Sequence, residues 1–216
     1  MSAFFAFELE PPPWLYRLLV RLGLMQRLYR RLAADLAAAA PHHGLLVDVG
    51  AGTGRLLQML TQRRTDLRLL AVDWSATVLR PHLPPGAGPA DSAGLWRLVG
   101  DAAALPLETA CCDMAVATFS FHTWNQPAQG LREMRRIVRP GGHIWLYEMN
   151  REASREQLKA LAQEEGLPCF LVAAGFSLLS WNHALGAKDF ARSFEQAGLQ
   201  TWDLQPAHHF LWRAIF

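Results

Sequence analysis

The chain has 216 residues, of which 51% are hydrophobic and 19% are charged, and its formal net charge is +2 at pH 7. This length allows one domain with a substantial core, and the composition excludes a disordered chain. A charge this close to neutral predicts no bulk attraction to nucleic acid. No run of 18 apolar residues occurs, and the first residues lack a basic stretch and a cleavage site. We therefore expect neither a membrane span nor a signal peptide. The three cysteines cannot all pair, which favours a reducing cytoplasm.

The segment from Pro13 to Ala40 has apolar residues at helical spacing with arginines between them. It predicts an amphipathic helix, so we assign residues 1–43 to an N-terminal helical cap and residues 44–216 to the main domain. Such a helix can dock on its own domain with its arginines in water, or lie on an anionic membrane surface. We favour docking, because burial within the protein is the commoner outcome, and peripheral membrane contact stays open. The apolar positions are Trp14, Leu18, Leu22, Met25, Tyr29, Leu32 and Leu36.

The stretch from Leu45 to Gly54 predicts a buried strand that ends in a glycine turn. It reads L-L-V-D-V-G-A-G-T-G, and a run of helix-forming residues follows from Arg55. Strand, glycine turn and helix bring backbone N–H groups and a helix N-terminus close to a ligand. The dinucleotide fingerprint G-x-G-x-x-G is not met, because Arg55 stands where its third glycine belongs.

Three more strands are predicted downstream, and acidic residues close two of them. The carboxyl ends of parallel strands meet at one edge of a sheet. We therefore expect Asp73, Asp101 and the segment after Phe119 to converge on the glycine turn. Asp73 can accept both hydroxyls of a ribose, or it can cap a helix that begins near Ser75. The three strands are Leu67–Asp73, Leu95–Ala102 and Cys112–Phe119.

The second half of the chain continues the alternation of helix and strand, interrupted by an insertion at residues 151–186. The whole pattern predicts an α/β, doubly wound, mostly parallel sheet with a C-terminal antiparallel hairpin turning at Pro206-Ala207. A surface loop is predicted at Pro84–Pro89. The remaining predicted elements are a helix at Leu131–Val138, a strand at His143–Glu148 after Arg-Pro-Gly-Gly, helical and apolar insertion segments at Arg151–Gly166 and Leu167–Trp181, a helix at Ala187–Ala197, and strands at Leu199–Gln205 and His208–Phe216.

Taken together, these motifs resemble the class I S-adenosylmethionine-dependent methyltransferases, most closely the small-molecule enzymes of ubiquinone and menaquinone biosynthesis. The resemblance covers residues 45–149 and includes Asp48 before the glycines, the two acidic strand ends and the Arg-Pro-Gly-Gly element. It implies a Rossmann-like fold, S-adenosyl-L-methionine as cofactor, and in-line methyl transfer to a small acceptor. It also implies that the N-terminal helix and the insertion border the substrate pocket. The apolar insertion hints at a greasy acceptor, although the same residues could fill the core.

The resemblance also assigns roles to single residues. It places the glycine backbone near the methionyl and ribose portions, Asp48 near the amino end, and Asp73 on the ribose hydroxyls. Asp48 could instead hold the glycine turn. Trp74 could lie against the adenine or simply pack, and Asp101 with Ala102 would read the adenine edge. The predicted cofactor-binding residues are Asp48, Gly50, Ala51, Gly52, Gly54, Asp73, Trp74, Asp101, Ala102 and Phe119.

The predicted catalytic residue is His122, in the stretch S-F-H-T-W-N after the fourth strand. Imidazole titrates near neutral pH, so His122 could act as a general base or orient the acceptor. A hydrogen-bonded histidine in the cofactor wall is an equal alternative. This stretch lacks the Asp/Asn-Pro-Pro-Tyr/Phe signature of methyltransferases that act on DNA bases, which favours a small-molecule acceptor over nucleic acid. Further candidates for the same rim are Glu148 and Asn150, and the weaker ones are His183, His208 and His209.

Other functions are weighed against this one. The histidines and cysteines show no close-spaced zinc pattern, so no metal is expected. A nicotinamide-dependent oxidoreductase is disfavoured by Arg55 and by the Arg-Pro-Gly-Gly element. A non-catalytic, methyltransferase-like partner protein stays open, although none of the motif residues has decayed. The oligomeric state is not predicted.

Overall fold

The computed structural model describes residues 24–79 and 94–216, with the backbone alone for Leu24 and for residues 178–183. The first part of the predicted N-terminal helix, up to Gly23, and the predicted loop Pro84–Pro89 lie outside the described residues. The elements in chain order are α1 (Leu24–Ala39), β1 (Leu45–Val49), α2 (Arg55–Thr61), β2 (Arg68–Asp73), α3 (Ala76–Leu79), β3 (Leu95–Val99), β4 (Cys112–Thr118), a 3-10 helix (Phe121–Thr123), α4 (Pro127–Ile137), β5 (Val138–Met149), α5 (Arg155–Glu165), α6 (Cys169–His183), α7 (Ala187–Ala197), β6 (Asp203–Ala207) and β7 (Leu211–Ile215).

The strands form one seven-stranded sheet in the order β3-β2-β1-β4-β5-β7-β6. β1 to β5 pair in parallel, and β7 runs antiparallel to both β5 and β6. This confirms the predicted α/β, doubly wound architecture with a C-terminal antiparallel hairpin. The chain turns from β1 to one side for β2 and to the other side for β4. A crevice for ligands is expected at this switch point, where the glycine turn lies.

Apolar packing on both faces explains why the central strands are almost continuously hydrophobic. On one face, Val47 and Val49 of β1 pack with the fully buried Phe190 and Phe194 of α7. On the other face, Leu46 packs with residues of α1 and α2. Because side chains alternate along a strand, Asp48 falls on the same face as Leu46. A carboxyl group therefore stands in an otherwise apolar layer.

Helix α1 packs on the same face of the sheet as α2 through Leu28, Leu32 and Leu36, which are at most 5% exposed. The predicted docking is therefore seen for the described part of this helix. The expectation that its arginines lie in water is met only in part by Arg27 and Arg31, whose side chains are 40% and 24% exposed. Both contact Glu165, at the end of α5, at 2.5 Å. The Glu165 side chain is only 3% exposed, and a carboxylate buried to that degree requires cationic or hydrogen-bonding partners.

The C-terminal hairpin turns later than predicted. Strand β6 continues through Pro206 and Ala207, and the turn comes at His208–Phe210. Proline is tolerated there because β6 is the edge of the sheet, where a missing N–H need not break a ladder hydrogen bond. His208 and His209 both have left-handed φ angles, 46° and 67°, so they do not alternate along a strand as predicted.

Two further strand boundaries differ from the predictions. Strand β5 begins at Val138 and includes the Arg-Pro-Gly-Gly element, where its pairing with β4 shifts register between Cys112 and Met114. Such a shift adds residues to one strand without ending the sheet. Strand β3 ends at Val99, so Asp101 lies just beyond it, in an isolated bridge with Ala104. Among the described residues no helix is both long and apolar enough to cross a membrane.

Candidate active site

The glycine turn after β1 is tied to β2 by its backbone. Gly50 N–H and Ala51 N–H donate to the carbonyl oxygen of Val72 at 2.8 and 3.0 Å. Gly50 has a φ of +76°, and a Cβ added there would lie 2.4 Å from the Cβ of Ser120. Gly52 also has a positive φ, +56°, but a Cβ added there would meet nothing within 4 Å. Protein packing therefore requires glycine at position 50, whereas Gly52 borders open space in which a ligand can approach the backbone.

Asp73 holds this turn from the neighbouring strand end. Its Oδ2 accepts the Gly52 N–H at 2.8 Å, and its Oδ1 accepts the Ser75 N–H at 2.9 Å. The sequence suggested the second contact as part of a helix cap, but no spacing rule predicts the first. An ionised carboxylate has about four acceptor positions. Positions for two ribose hydroxyls therefore remain available on Asp73.

Asp48 is buried, with an exposed fraction of 2%, and its Oδ1 has no hydrogen-bond partner among the described residues. Burial and, to a smaller extent, the nearby charge of Asp73 raise the pKa of Asp48 from 3.8 to about 8. The hydrogen bond that holds the glycine turn comes from Asp73, not from Asp48 Oδ1. A buried carboxyl oxygen without a partner among the described residues, two positions before the glycine turn, is the kind of group that a cationic ligand would satisfy.

A cavity of about 410 Å³ opens at the carboxyl ends of β1, β2 and β3 and at the segment after β4. Its volume lies in the range of small-molecule sites. Trp74 is 79% exposed at this cavity, so the alternative that it packs in the core is wrong. The lining residues are Gly50, Asp73, Trp74, Gly100, Asp101, Ala102, Ala103, Ser120, Thr123, Trp124, Asn125 and Gln126.

Two acidic strand ends therefore reach the same cavity, as the sequence predicts. Asp101 is exposed, and its Oδ1 accepts the Ala103 N–H at 2.8 Å. The backbone of Gly100 donates to the Asp73 carbonyl oxygen at 3.0 Å, which joins the two strand ends.

Sequence reasoning did not assign roles to Ser120 and Trp124, although both follow the fourth strand directly. Ser120 donates its hydroxyl to the Val49 carbonyl oxygen at 2.9 Å and so backs the glycine turn.

Five predicted cofactor-binding residues are not among the residues that line the cavity: Asp48, Ala51, Gly52, Gly54 and Phe119. Phe119 lies at the end of β4, beside helix α1. It has a left-handed φ of 53°, and its N–H donates to the Tyr147 carbonyl oxygen at 2.9 Å. Its ring lies edge-on to the ring of Tyr29 from α1, with 6.3 Å between the ring centroids. Phe119 is not among the residues that line the cavity. The Tyr29 contact brings α1 to the rim where β4 ends.

His122 lies in the 3-10 helix that follows β4, and it contacts Glu148 of β5. Its Nδ1 is 2.9 Å from Glu148 Oε2, and its backbone N–H donates to Glu148 Oε1 at 3.2 Å. The His122 side chain is 13% exposed and that of Glu148 is fully buried. A 3-10 helix has three residues per turn. Ser120 and Thr123 therefore share the side that lines the cavity, and His122 is not among the lining residues.

The weaker polar candidates have structural contacts. Asn150 Oδ1 accepts the Glu152 N–H at 2.7 Å. His208 Nε2 lies 2.8 Å from Asp35 Oδ2 of α1, and His209 Nε2 lies 2.9 Å from Glu164 Oε2 of α5. These two histidines tie the hairpin turn to two helices. The side chain of His183 lies outside the described residues.

The strand order and the glycine turn at the switch point define the Rossmann-like fold of the class I methyltransferases. In agreement with this class, residues 47–146 match the family model of a methyltransferase domain. The resemblance inferred from the motifs at residues 45–149 is confirmed.

Relatives with assigned names match the same part of the chain. The demethylmenaquinone methyltransferase of Roseiflexus castenholzii is 33% identical over 121 residues, which are 56% of this chain and 49% of that protein. The malonyl-[acyl-carrier protein] O-methyltransferase of Dechloromonas aromatica is 32% identical over 140 residues, 65% of this chain and 49% of that protein. The chain thus spans about half the length of these curated relatives. The crystal structure of an S-adenosylmethionine-dependent methyltransferase from Aquifex aeolicus has the same fold, with a TM-score of 0.58, 13% identity, and coverage of 91% of this chain and 96% of that one.

Proposed function

We propose that this protein binds S-adenosyl-L-methionine and transfers its methyl group to a small-molecule acceptor. The observation that carries the proposal is the buried Asp48 carboxyl with its unpartnered oxygen, next to a glycine turn that leaves open space at Gly52. A cationic amino group supplies the charge and the N–H donors that such a carboxyl lacks. The family match over residues 47–146 supports the same cofactor.

The residues of the cavity suit the parts of this cofactor. Asp48 would take the amino end, and Asp73 would use its two remaining acceptor positions for the ribose hydroxyls. Trp74, exposed at the cavity, would cover an adenine face, and Asp101 with the Ala102 backbone would meet the adenine edge. When bound, S-adenosyl-L-methionine supplies a methyl group made electrophilic by its positively charged sulfur.

The protein would contribute mainly alignment and the exclusion of water. His122 would orient the acceptor or remove a proton from it at the end of β4. Its contact with the buried Glu148 supports this role, because a carboxylate stabilises the imidazolium that forms when His122 takes up a proton. A base is needed only for an acceptor that must lose a proton.

A small-molecule acceptor is supported by two observations. The segment after β4 reads S-F-H-T-W-N and lacks the signature of methyltransferases acting on DNA bases. Helix α6 and its surroundings are apolar, with Phe170 70% exposed and Phe176 packed edge-on to Phe210. We propose that an apolar methyl acceptor binds beside this helix, under a cap formed by residues 1–43. The free thiols of Cys111, Cys112 and Cys169 are in keeping with a cytoplasmic location.

Calorimetry tests the cofactor directly. Purified protein, freed of copurified ligand, is titrated with S-adenosyl-L-methionine and S-adenosylhomocysteine, with NADH as the control. We expect dissociation constants on the order of micromolar for the two sulfur compounds and no tight binding of NADH. A screen of acceptors with labelled methyl donor then follows. Absence of binding to the sulfur compounds would overturn the proposal in favour of a non-catalytic partner protein, and tight binding of NADH would favour an oxidoreductase.

A further inference from the structure

We infer that Glu148 is a positioning residue that fixes His122 in the tautomer with its proton on Nδ1, so that Nε2 is the nitrogen that accepts a proton from the methyl acceptor. This inference rests on the proposed function, because it specifies how His122 would serve as a base. It concerns a residue that the motifs place only at the rim of the site. Two nitrogen atoms of His122, one in the backbone and one in the ring, face the two oxygens of the buried Glu148 carboxylate.

The backbone contact fixes the role of the first oxygen. The His122 backbone N–H can only donate, and it points at Glu148 Oε1 at 3.2 Å. The second oxygen, Oε2, lies 2.9 Å from His122 Nδ1. Because Glu148 is fully buried, its ionised form requires a donor at each oxygen. The only way for Nδ1 to donate is to carry a proton, and the neutral ring then has its lone pair on Nε2.

Both partners are held by rigid parts of the fold. The 3-10 helix is closed by Thr123, whose N–H and hydroxyl both donate to the Ser120 carbonyl oxygen, at 2.9 and 2.6 Å. Its first residue, Phe121, is 3% exposed and stacks on Phe190 with 5.8 Å between ring centroids. Glu148 lies within β5, opposite Trp212 of β7. The imidazole and the carboxylate thus meet in a fixed geometry, as a general base and its orienting group require.

The variant Glu148→Gln gives a sharp prediction. Its amide oxygen has to accept the His122 backbone N–H, because the amide nitrogen cannot. The NH₂ group then faces Nδ1, which must become an acceptor, and the ring proton moves to Nε2. We therefore expect Glu148→Gln to move the ring proton of His122 from Nδ1 to Nε2. If Glu148 only filled space, the same substitution would leave the tautomer unchanged.

Long-range ¹H–¹⁵N correlation spectra distinguish the two ring nitrogens by whether each carries a proton. The chain has eight histidines, so the spectrum of His122→Asn identifies the signals of His122 by their loss. The spectra are recorded at roughly pH 8 or above, where an unperturbed imidazole is neutral. Glu164→Gln is the matched control, because Glu164 contacts the ring of His209 in an exposed pair. We expect it to leave the His122 signals in place.

The expected result is the Nδ1–H tautomer in the wild-type protein and the Nε2–H tautomer in Glu148→Gln. An Nε2–H tautomer in the wild-type protein, or an unchanged tautomer in Glu148→Gln, would overturn the inference. If Glu148→Gln does not fold, the wild-type spectrum decides by itself. Calorimetry with S-adenosylhomocysteine on the same samples separates this inference from the proposed function. We expect Glu148→Gln to bind within about twofold of wild type, and a wild-type protein that does not bind would overturn the proposed function while leaving the tautomer result valid.

Discussion

The buried carboxyl of Asp48 makes the stability of the free protein depend on pH in a particular direction. Its pKa is about 8 in the folded protein, against 3.8 for an unperturbed aspartate. Between these values the folded protein keeps a proton that the unfolded chain has lost. The stabilising contribution is therefore complete below pH 3.8 and is lost as the pH rises through about 8.

The magnitude follows from the same pKa difference. The free energy of unfolding should fall by about 1.4 kcal/mol per pH unit across this window, and by roughly 6 kcal/mol in total. Asparagine at position 48 cannot ionise and lacks this slope. Its buried amide adds a pH-independent cost of about 1–3 kcal/mol if it stays unsatisfied. The stability of Asp48→Asn relative to wild type should thus rise steadily from pH 5 to pH 8.

Urea unfolding of both proteins at several pH values between 5 and 8 measures this difference, because titrations elsewhere in the chain cancel. Thr118→Val is the control, since the Thr118 hydroxyl is also buried and has no partner in the described part of the chain, but does not ionise. Its stability relative to wild type should not change with pH. A constant difference between Asp48→Asn and wild type over the whole range would refute the reasoning.

Four other substitutions test the site and the docked helix. Gly50→Ala should lower the free energy of unfolding in urea by more than about 3 kcal/mol, because its φ is positive and the new Cβ overlaps with Ser120. Gly52→Ala should lower it by only about 1–2 kcal/mol, but it should weaken S-adenosylhomocysteine binding about tenfold or more. Equal stability losses for the two variants would contradict the assignment of open space at Gly52. Asparagine at position 73 offers one oxygen to the two backbone N–H groups that now donate to Asp73. Calorimetry of Asp73→Asn should therefore show an affinity for S-adenosylhomocysteine reduced about tenfold or more. Unchanged affinity would contradict the proposed role of Asp73. Glu165→Gln should lower the free energy of unfolding by about 1–3 kcal/mol. Glu164→Gln is the control, and it should lower it by less than about 1 kcal/mol because the Glu164 side chain is more exposed. Similar losses for the two variants would argue against a buried ion pair.

Much of the architecture is predictable from local patterns. The helix Ala187–Ala197 has the predicted bounds. Strand β1 begins at Leu45 as predicted, and the glycine turn follows it directly. These features depend on side-chain periodicity and on glycine conformations, both encoded within a few residues. The sequence places the hairpin turn too early, because Pro206 is a residue type typical of turns. Its position on an edge strand is not visible in the local sequence.

The sequence by itself determined the order of helices and strands, the glycine turn after β1 and the acidic residues that lie within or just after the strands. Only the tertiary structure decided which of those acids holds the glycine turn, which is left buried without a partner, and which orients a histidine. The contacts concerned join residues 21, 26 and 134 positions apart, in the Gly52–Asp73, His122–Glu148 and Arg31–Glu165 pairs. Hydrogen bonds and ion pairs of this kind depend on which strand ends and helix faces the packed core brings together, and a short stretch of sequence carries no record of that.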